Sequence, residues 1–289
     1  MTHKPTTSRR QFFQVTGGTA AAALAGLACS SNPRLAAAAV SAAEKAERPF
    51  RLAMASYSLR KFGLEAAINM TKQIGLDAIC LKSFHLPLDL TTAEVSKEAA
   101  KVEQAGVRLY GGGVITMKTQ EAVDQAFEYA KAAGMEKIVG VPAPELLPLV
   151  NDKVQQYNIA VCIHNHGPGD DIYPTPDVAY QRIKDLDARI GLCHDVGHTV
   201  RVGKDPAKLS EQCADRLLDV HIKDVTASAK QGHSTPCGRG VMDLPTLLKT
   251  LKKIDYQGYL AFEYEEEADN PLPGLAESVG YIRGVMDMM

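Results

Sequence analysis

The histidines of this chain are gathered rather than scattered. Five of its eight lie in three short segments of the second half, His164-Asn165-His166, His194-Asp195-Val196-Gly197-His198 and His221-Ile222-Lys223-Asp224, and a sixth, His85, stands earlier. A fourth segment, Glu263-Tyr264-Glu265, adds carboxylates. Imidazole and carboxylate together make a mixed nitrogen and oxygen donor set, which suits Mn²⁺, Zn²⁺, Co²⁺ or Fe²⁺ better than Ca²⁺. Each residue alone has an ordinary explanation: Asp195 as a helix N-cap, His221 as a satisfied core histidine, Glu263 as one end of a salt bridge. At corresponding positions of successive elements, they point jointly to a metal. Cysteine does not enter this set. Cys80, Cys162 and Cys193 fall in strand-like runs and Cys213 in a helical one, where a free thiol behaves as a small buried hydrophobe. Cys237, in the loop Pro236-Cys237-Gly238-Arg239-Gly240, is the one expected to be exposed, and there is no C-x-x-C pair.

Those segments need elements to hold them. Apolar, β-type runs recur at Arg51–Ser56, Ala78–Leu81, Val107–Gly111, Lys137–Val141, Ile159–His164, Ile190–His194, Leu217–Ile222 and Tyr259–Glu263. Between them lie segments with helical spacing and capping chemistry. Thr91 opens a helix that ends at Gly106, Thr119 opens one that ends at Gly134, and Asp205-Pro206 and Asp243-Leu244-Pro245 open two more. Ile74-Gly75-Leu76, Ala105-Gly106-Val107 and Ala133-Gly134-Met135 repeat the punctuation of a helix passing through glycine into a strand. Eight strands alternating with helices predict a parallel α/β fold. An open doubly wound sheet would carry an early phosphate loop, but Gly111-Gly112-Gly113 lacks the G-x-G-x-x-G context. The even spacing predicts one closed (β/α)₈ barrel, with chemistry at the C-terminal ends of its strands. The His, Asp and Glu segments follow strands five to eight. Because strand side chains alternate faces, His164 shares a face with Cys162 and His166, His221 with Lys223, and Glu263 with Glu265.

The N-terminus reads as an address. Ser8-Arg9-Arg10-Gln11-Phe12-Phe13 precedes a weakly apolar Ala/Gly/Leu run and small residues, the pattern of a cleavable twin-arginine export signal. Gly26, three before Cys29, disfavours lipid attachment there. Residues 1–42 are therefore assigned to the signal and an Ala-rich linker, and 43–289 to the barrel, with a periplasmic or other extracytoplasmic destination. The whole chain has 289 residues and a net charge of −2. Without the signal's Lys4, Arg9, Arg10 and Arg34, 28 basic residues face 34 acidic ones, a net charge of −6. Cleavage near residue 41 would leave about 248 residues, the length of one barrel. The acidic balance argues against a nucleic-acid partner, and no run reaches the ~18 apolar residues of a membrane span. A small molecule is the expected partner, with self-association left open.

Cys193-His194-Asp195-Val196-Gly197-His198, Val220-His221-Ile222-Lys223-Asp224 and Phe262-Glu263-Tyr264-Glu265, in this order and spacing, resemble the xylose-isomerase-like barrel superfamily. Its members include sugar-phosphate isomerases/epimerases, ketose 3-epimerases, inosose dehydratases and apurinic endonucleases. The resemblance covers the mature chain and is sharpest from His164 onward, including Ile163-His164-Asn165-His166-Gly167 and Pro271-Leu272-Pro273-Gly274-Leu275. It implies one divalent ion (Mn²⁺, Zn²⁺, Co²⁺, Fe²⁺ or Mg²⁺) bound by His164, Asp195, His221 and Glu263. His198 matches the family's second strand-6 histidine, which binds substrate or a further metal, and Lys223 lies where a substrate oxygen could be met. Glu263, His166, His198 and Lys223 are the expected catalytic residues, and His85, Arg239 and Glu265 the expected substrate contacts. Gly238-Arg239-Gly240 offers an anion site but reads more simply as a turn.

One position departs from the pattern: many members place Glu where this chain has His164. That weakens a symmetric mechanism with two carboxylate bases, and a three-ligand site with His164 turned away is the alternative. The chemistry implied is deprotonation beside a carbonyl to give a metal-stabilised enediolate of a keto-sugar or sugar derivative. Reprotonation makes an isomerase or epimerase, the first reading for carbohydrate metabolism. Expulsion of a β-substituent makes a lyase or dehydratase acting on 3-keto-glycosides or inosose-like substrates, the second. A non-catalytic sugar-binding barrel is the third. A nuclease is set aside, since it needs a basic groove and further histidines at the early strand ends.

Overall fold

A computed structural model of the chain describes residues 49–289. The expected export signal and Ala-rich linker lie outside the described residues. Eight parallel strands close into a barrel: β1 (Arg51–Ala55), β2 (Ala78–Leu81), β3 (Arg108–Met117), β4 (Lys137–Pro142), β5 (Ala160–His164), β6 (Ile190–Asp195), β7 (Leu217–Ile222) and β10 (Tyr259–Phe262). Each pairs with its neighbours in chain order, and β10 returns to β1. The helices are α1 (Leu64–Gln73), α2 (Thr92–Gln104), α3 (Gln120–Ala132), α4 (Leu147–Tyr157), α5 (Pro176–Ile183), α6 (Val196–Arg201), α7 (Pro206–Gln212), α8 (Leu244–Lys253) and α9 (Leu272–Asp287). The single (β/α)₈ barrel is as expected.

Local chemistry sets the boundaries. Thr91 caps α2 in a full capping box with Glu94, and Asp205 and Asp243 cap α7 and α8 with Pro in the first turn. Gly75, Gly106 and Gly134 take positive φ where helices turn into strands. Most apolar side chains pack between strands and helices, while a smaller set that includes Ala53, Cys80, Tyr110, Val139, Cys162, Cys193 and Ala261 forms a separate cluster.

Three expectations are corrected. The third strand runs on to Met117 instead of stopping at Gly111, and a Cβ on Gly113 would lie 1.9 Å from the Val139 carbonyl oxygen. The glycine run thus serves the close approach of β3 to β4. Cys237 is buried, not exposed: its amide donates to Ser278 Oγ of α9 at 3.0 Å. Cys213 is the C-cap of α7 and not an interior helical residue, though it is buried as expected. The connection from β7 to α8 also holds an unforeseen hairpin, β8 (Asp224–Val225) against β9 (Ser234–Thr235). Among the described residues, no helix is long and apolar enough to cross a membrane.

Candidate metal centre

Four adjacent strands, β5, β6, β7 and β10, deliver one side chain each to the same place. His164 ends β5, Asp195 ends β6, His221 is the penultimate residue of β7, and Glu263 follows β10. Asp195 lies level with His221 in the strand pairing, and the Glu263 amide donates to the Ile222 carbonyl at 3.1 Å. One ligand atom from each of the four falls within 4.8 Å of all the others, and all four residues are buried. His164 Nε2 lies 3.1 Å from His221 Nδ1 and 3.5 Å from Asp195 Oδ2, and His221 Nδ1 lies 3.2 Å from Glu263 Oε2.

Asp195 does two jobs at once. Its Oδ1 accepts the His198 amide at 2.7 Å and caps α6, which leaves Oδ2 for the cluster. Asn165 fixes the Asp195 backbone by exchanging hydrogen bonds with it: the Asp195 amide donates to Asn165 Oδ1 at 2.9 Å, and Asn165 Nδ2 donates to the Asp195 carbonyl at 3.1 Å. His194 faces the other way, between Ser210 Oγ at 3.0 Å and Thr199 Oγ1 at 2.8 Å. Strand alternation therefore makes one histidine of this segment structural.

Lys223 supplies the counter-charge. Its Nζ is 2.8 Å from both Asp195 Oδ2 and Glu263 Oε2 and also binds Glu265; the Asp195 contact is an ion pair without hydrogen-bond alignment. Burial works against the ammonium, but Asp195, Glu263 and Glu265 hold its pKa well above the ordinary lysine value. Burial likewise opposes the charged carboxylates. His198 and Lys223 nevertheless keep Asp195 well below its usual range, and Lys223 and His221 do the same for Glu263. Burial pushes His164 down to about 3, so its imidazole is neutral and ready to ligate. At His221 burial is outweighed by the charge of Glu263, and the pKa rises.

These residues fit a divalent ion. Three carboxylates face one ammonium, an excess of negative charge that a bound cation offsets. The atoms that converge are His164 Nε2, His221 Nδ1, Asp195 Oδ2 and Glu263 Oε2, a mixed nitrogen and oxygen donor set of the kind that holds a divalent ion.

The other residues singled out from sequence divide. His166 is partly exposed, with its ring centroid 4.6 Å from that of His164, and its Nδ1 is 3.3 Å from Asp170 Oδ2. His198 Nε2 stands 4.0 Å from Asp195 Oδ2, and its Nδ1 is 3.2 Å from Arg201. His198, Lys223 and Glu265 line a cavity of about 230 Å³ with Arg201, His233 and Ser234. That volume falls below the ~300–1,000 Å³ of drug-sized sites and is the scale of one small polar molecule. His85 is not brought to the cluster: it is buried with its ring between Ser56 Oγ at 2.9 Å and the Leu59 carbonyl at 3.2 Å. Arg239 is exposed and paired with Glu277 of α9. Its flanking glycines, Gly238 and Gly240, donate their amides to buried Asp224 Oδ2 at 3.0 Å each. The anion in that loop is thus an internal carboxylate.

The sequence assigns no role to Asn165, Asp170 or Asp224, nor to Cys193 beyond a buried thiol, whereas the structure sets the Cys193 sulfur within 4.8 Å of a nitrogen of both His164 and His221. Asp170 lies four residues after His166 in a Gly-rich loop, and Cys193 lies two before Asp195, hence on its strand face. The second relation follows from strand alternation, whereas the first depends on the course of the loop.

The family model described as xylose isomerase-like TIM barrel matches residues 68–285. The chain belongs to that family. Among curated relatives, the rhizopine catabolism protein MocC of Rhizobium meliloti is 26% identical over 145 residues, 45% of this chain and 44% of the relative. The inosose dehydratase of Lacticaseibacillus casei is 22% identical over 159 residues, 49% of this chain and 53% of the relative. The chain thus spans about half the length of the curated relatives it matches. Of solved structures, IolI with a bound zinc atom superposes with a TM-score of 0.70 at 15% identity, covering 83% of this chain and 99% of IolI. An L-ribulose 3-epimerase gives 0.66 at 14% identity, covering 83% and 95%. At these identities the structural likeness establishes the fold, and family members include both dehydratases and epimerases.

Proposed function

We propose that this chain is a divalent-metal-dependent sugar isomerase or epimerase acting on a keto-sugar or sugar derivative. The observation that carries the reading is the buried His164–Asp195–His221–Glu263 set beside a cavity of small-molecule size. A divalent ion held by these four side chains supplies Lewis acidity to neighbouring carbonyl and hydroxyl oxygens of the sugar. Everything else falls to the chain. Glu263 and Asp195, held ionised by Lys223, serve as ligands and electrostatic partners, and so low a pKa makes Glu263 a poor proton acceptor. His166, partly exposed beside His164 and paired with Asp170, is assigned the removal of the proton beside the carbonyl. His198, in the cavity wall, is placed to return it. Lys223, fixed as a cation, donates to oxygen and does not act as a base.

Elimination is the second reading. His164 occupies the place of a second carboxylate base, and the inosose dehydratase relative is named for loss of water. Incubating the metal-loaded protein with keto-sugars and 3-keto-glycosides in D₂O decides between them. Solvent deuterium in an intact sugar supports the isomerase or epimerase reading, and release of the aglycone or of water supports the lyase. Neither outcome in any substrate would leave the non-catalytic sugar-binding barrel. The twin-arginine pattern at Ser8–Phe13 extends the proposal to export. Fractionation of expressing cells, with Arg9 and Arg10 replaced by Lys as the control, tests it.

A further inference from the structure

Besides the carboxylate-bearing set, His164 and His221 belong to a second group. Together with the thiol of Cys193 they form a trio whose ligand atoms also lie within 4.8 Å of one another. Cys193 and His164 are paired level across β5 and β6, and Cys193 precedes Asp195 by two residues, so both side chains leave the same face of β6. The thiol therefore stands one step back along the strand from the carboxylate, among buried residues that include Cys80 and Cys162. Sulfur faces the two imidazoles from that direction, and oxygen from the direction of the strand ends.

We propose that the centre has a second, sulfur-bearing face, in which His164, Cys193 and His221 bind a soft cation of the Cu⁺ or Cd²⁺ class. Three observations support it. The trio is fully buried, with no member more than 2% exposed. One nitrogen of each imidazole lies within 4.8 Å of the Cys193 sulfur and of the other imidazole, so a single ion can meet all three side chains. Finally, the donor set differs in kind: a thiolate with two imidazoles favours soft ions, whereas Asp195 and Glu263 favour harder ones. Binding forms a metal–sulfur bond and releases the thiol proton to solvent, an exchange that soft ions drive and Mg²⁺ or Mn²⁺ does not. Both faces draw on the same imidazoles, so a hard ion bound through Asp195 and Glu263 opposes a soft ion bound through Cys193. The centre then sorts ions by softness, and soft ions displace the resident one.

The test is an anaerobic Cd²⁺ titration of the full, chelator-stripped protein. Wild type should develop the ultraviolet thiolate-to-cadmium charge-transfer band up to one equivalent, and excess Mn²⁺ should suppress it. X-ray absorption at the cadmium edge should place one sulfur beside nitrogen ligands. Cys193→Ser should abolish the band and weaken Cd²⁺ binding at least about tenfold, while retained Mn²⁺ binding reports an intact fold. Cys162→Ser should keep the band. A wild-type cadmium shell of nitrogen and oxygen alone overturns the proposal without recourse to any variant. A full band in Cys193→Ser overturns it equally.

Discussion

Lys223 shows how much of the centre's electrostatics rests on one side chain. Its ammonium touches Asp195, Glu263 and Glu265 at once, and it holds the buried Asp195 and Glu263 carboxyls below their usual range where burial alone would raise them. On the proposed function, a Glu263 carboxyl held so low is a poor base, and the His166–Asp170 pair is the proposed proton acceptor. His166→Gln should lower turnover by about 10²–10⁴-fold at unchanged metal stoichiometry, and Asp170→Asn by a smaller factor. Turnover that survives His166→Gln would return the base role to His198 or Glu263. The family resemblance supplied the four positions that the structure brings together, and a metal site at the strand ends could be read from carboxylate and imidazole recurring on successive strands. Asp170 could not, because its meeting with His166 depends on a loop whose course no periodicity describes. His85 and Arg239 show the converse: their types suited a substrate, but Ser56 with Leu59, and Glu277, already engage them.

Strands and helices were more legible than the connections between them. Capping residues and glycines mark α2, α3, α7 and α8 in the sequence, because orphan amides and left-handed turns demand particular side chains. The β8–β9 hairpin has two residues per strand, too few to leave a pattern. It is held instead by Asp224, whose carboxylate accepts the amides of Val225, Gly238, Gly240 and Met242. Asp224→Asn would turn an amide NH₂ toward amides that need an acceptor and should cost about 1–3 kcal/mol. Thr91→Ala, which removes a surface cap from α2, should cost about 1 kcal/mol. Chemical denaturation compares the two directly. If Asp224→Asn were silent, the loop would be anchored by other contacts. The extent of β3 was misjudged for a related reason: three glycines read as a strand end, whereas there they permit close packing against Val139.

Across the whole molecule, alternation and length sufficed to predict the barrel, since eight even β/α units leave few other closed arrangements. What remained hidden was the buried charge. Inside the barrel the Tyr110 hydroxyl donates to Asp219 at 3.2 Å and Lys137 lies 3.6 Å from it, a pairing of residues distant in sequence. Buried charge also sets the pH behaviour. Burial depresses His164 to about 3 and His194 to about 4, from an ordinary 6.5. Between those values and 6.5 the unfolded chain binds more protons than the folded one, so stability rises with pH there. Their contribution is present above about pH 6.5 and is lost as pH falls toward 4 and 3. Asp195 and Glu263, also depressed, add losses as pH falls below the ordinary carboxylate range. His221 runs the other way: its raised pKa favours folding below pH 6.5, and that gain disappears as pH climbs through the folded value. Thermal melts of chelated protein should show a net fall in stability from pH 7 to 4, and a flat profile would contradict these assignments.

The central claim is that His164, Asp195, His221 and Glu263 hold one divalent ion on which sugar turnover depends. Elemental analysis of the purified protein, paired with turnover before chelation, after chelation and after metal return, tests it most directly. The expected result is one divalent ion per chain, turnover lost with the ion and restored by it, and both lost in Asp195→Asn. No stoichiometric ion in the wild type, with sugar turnover indifferent to chelation, would contradict it.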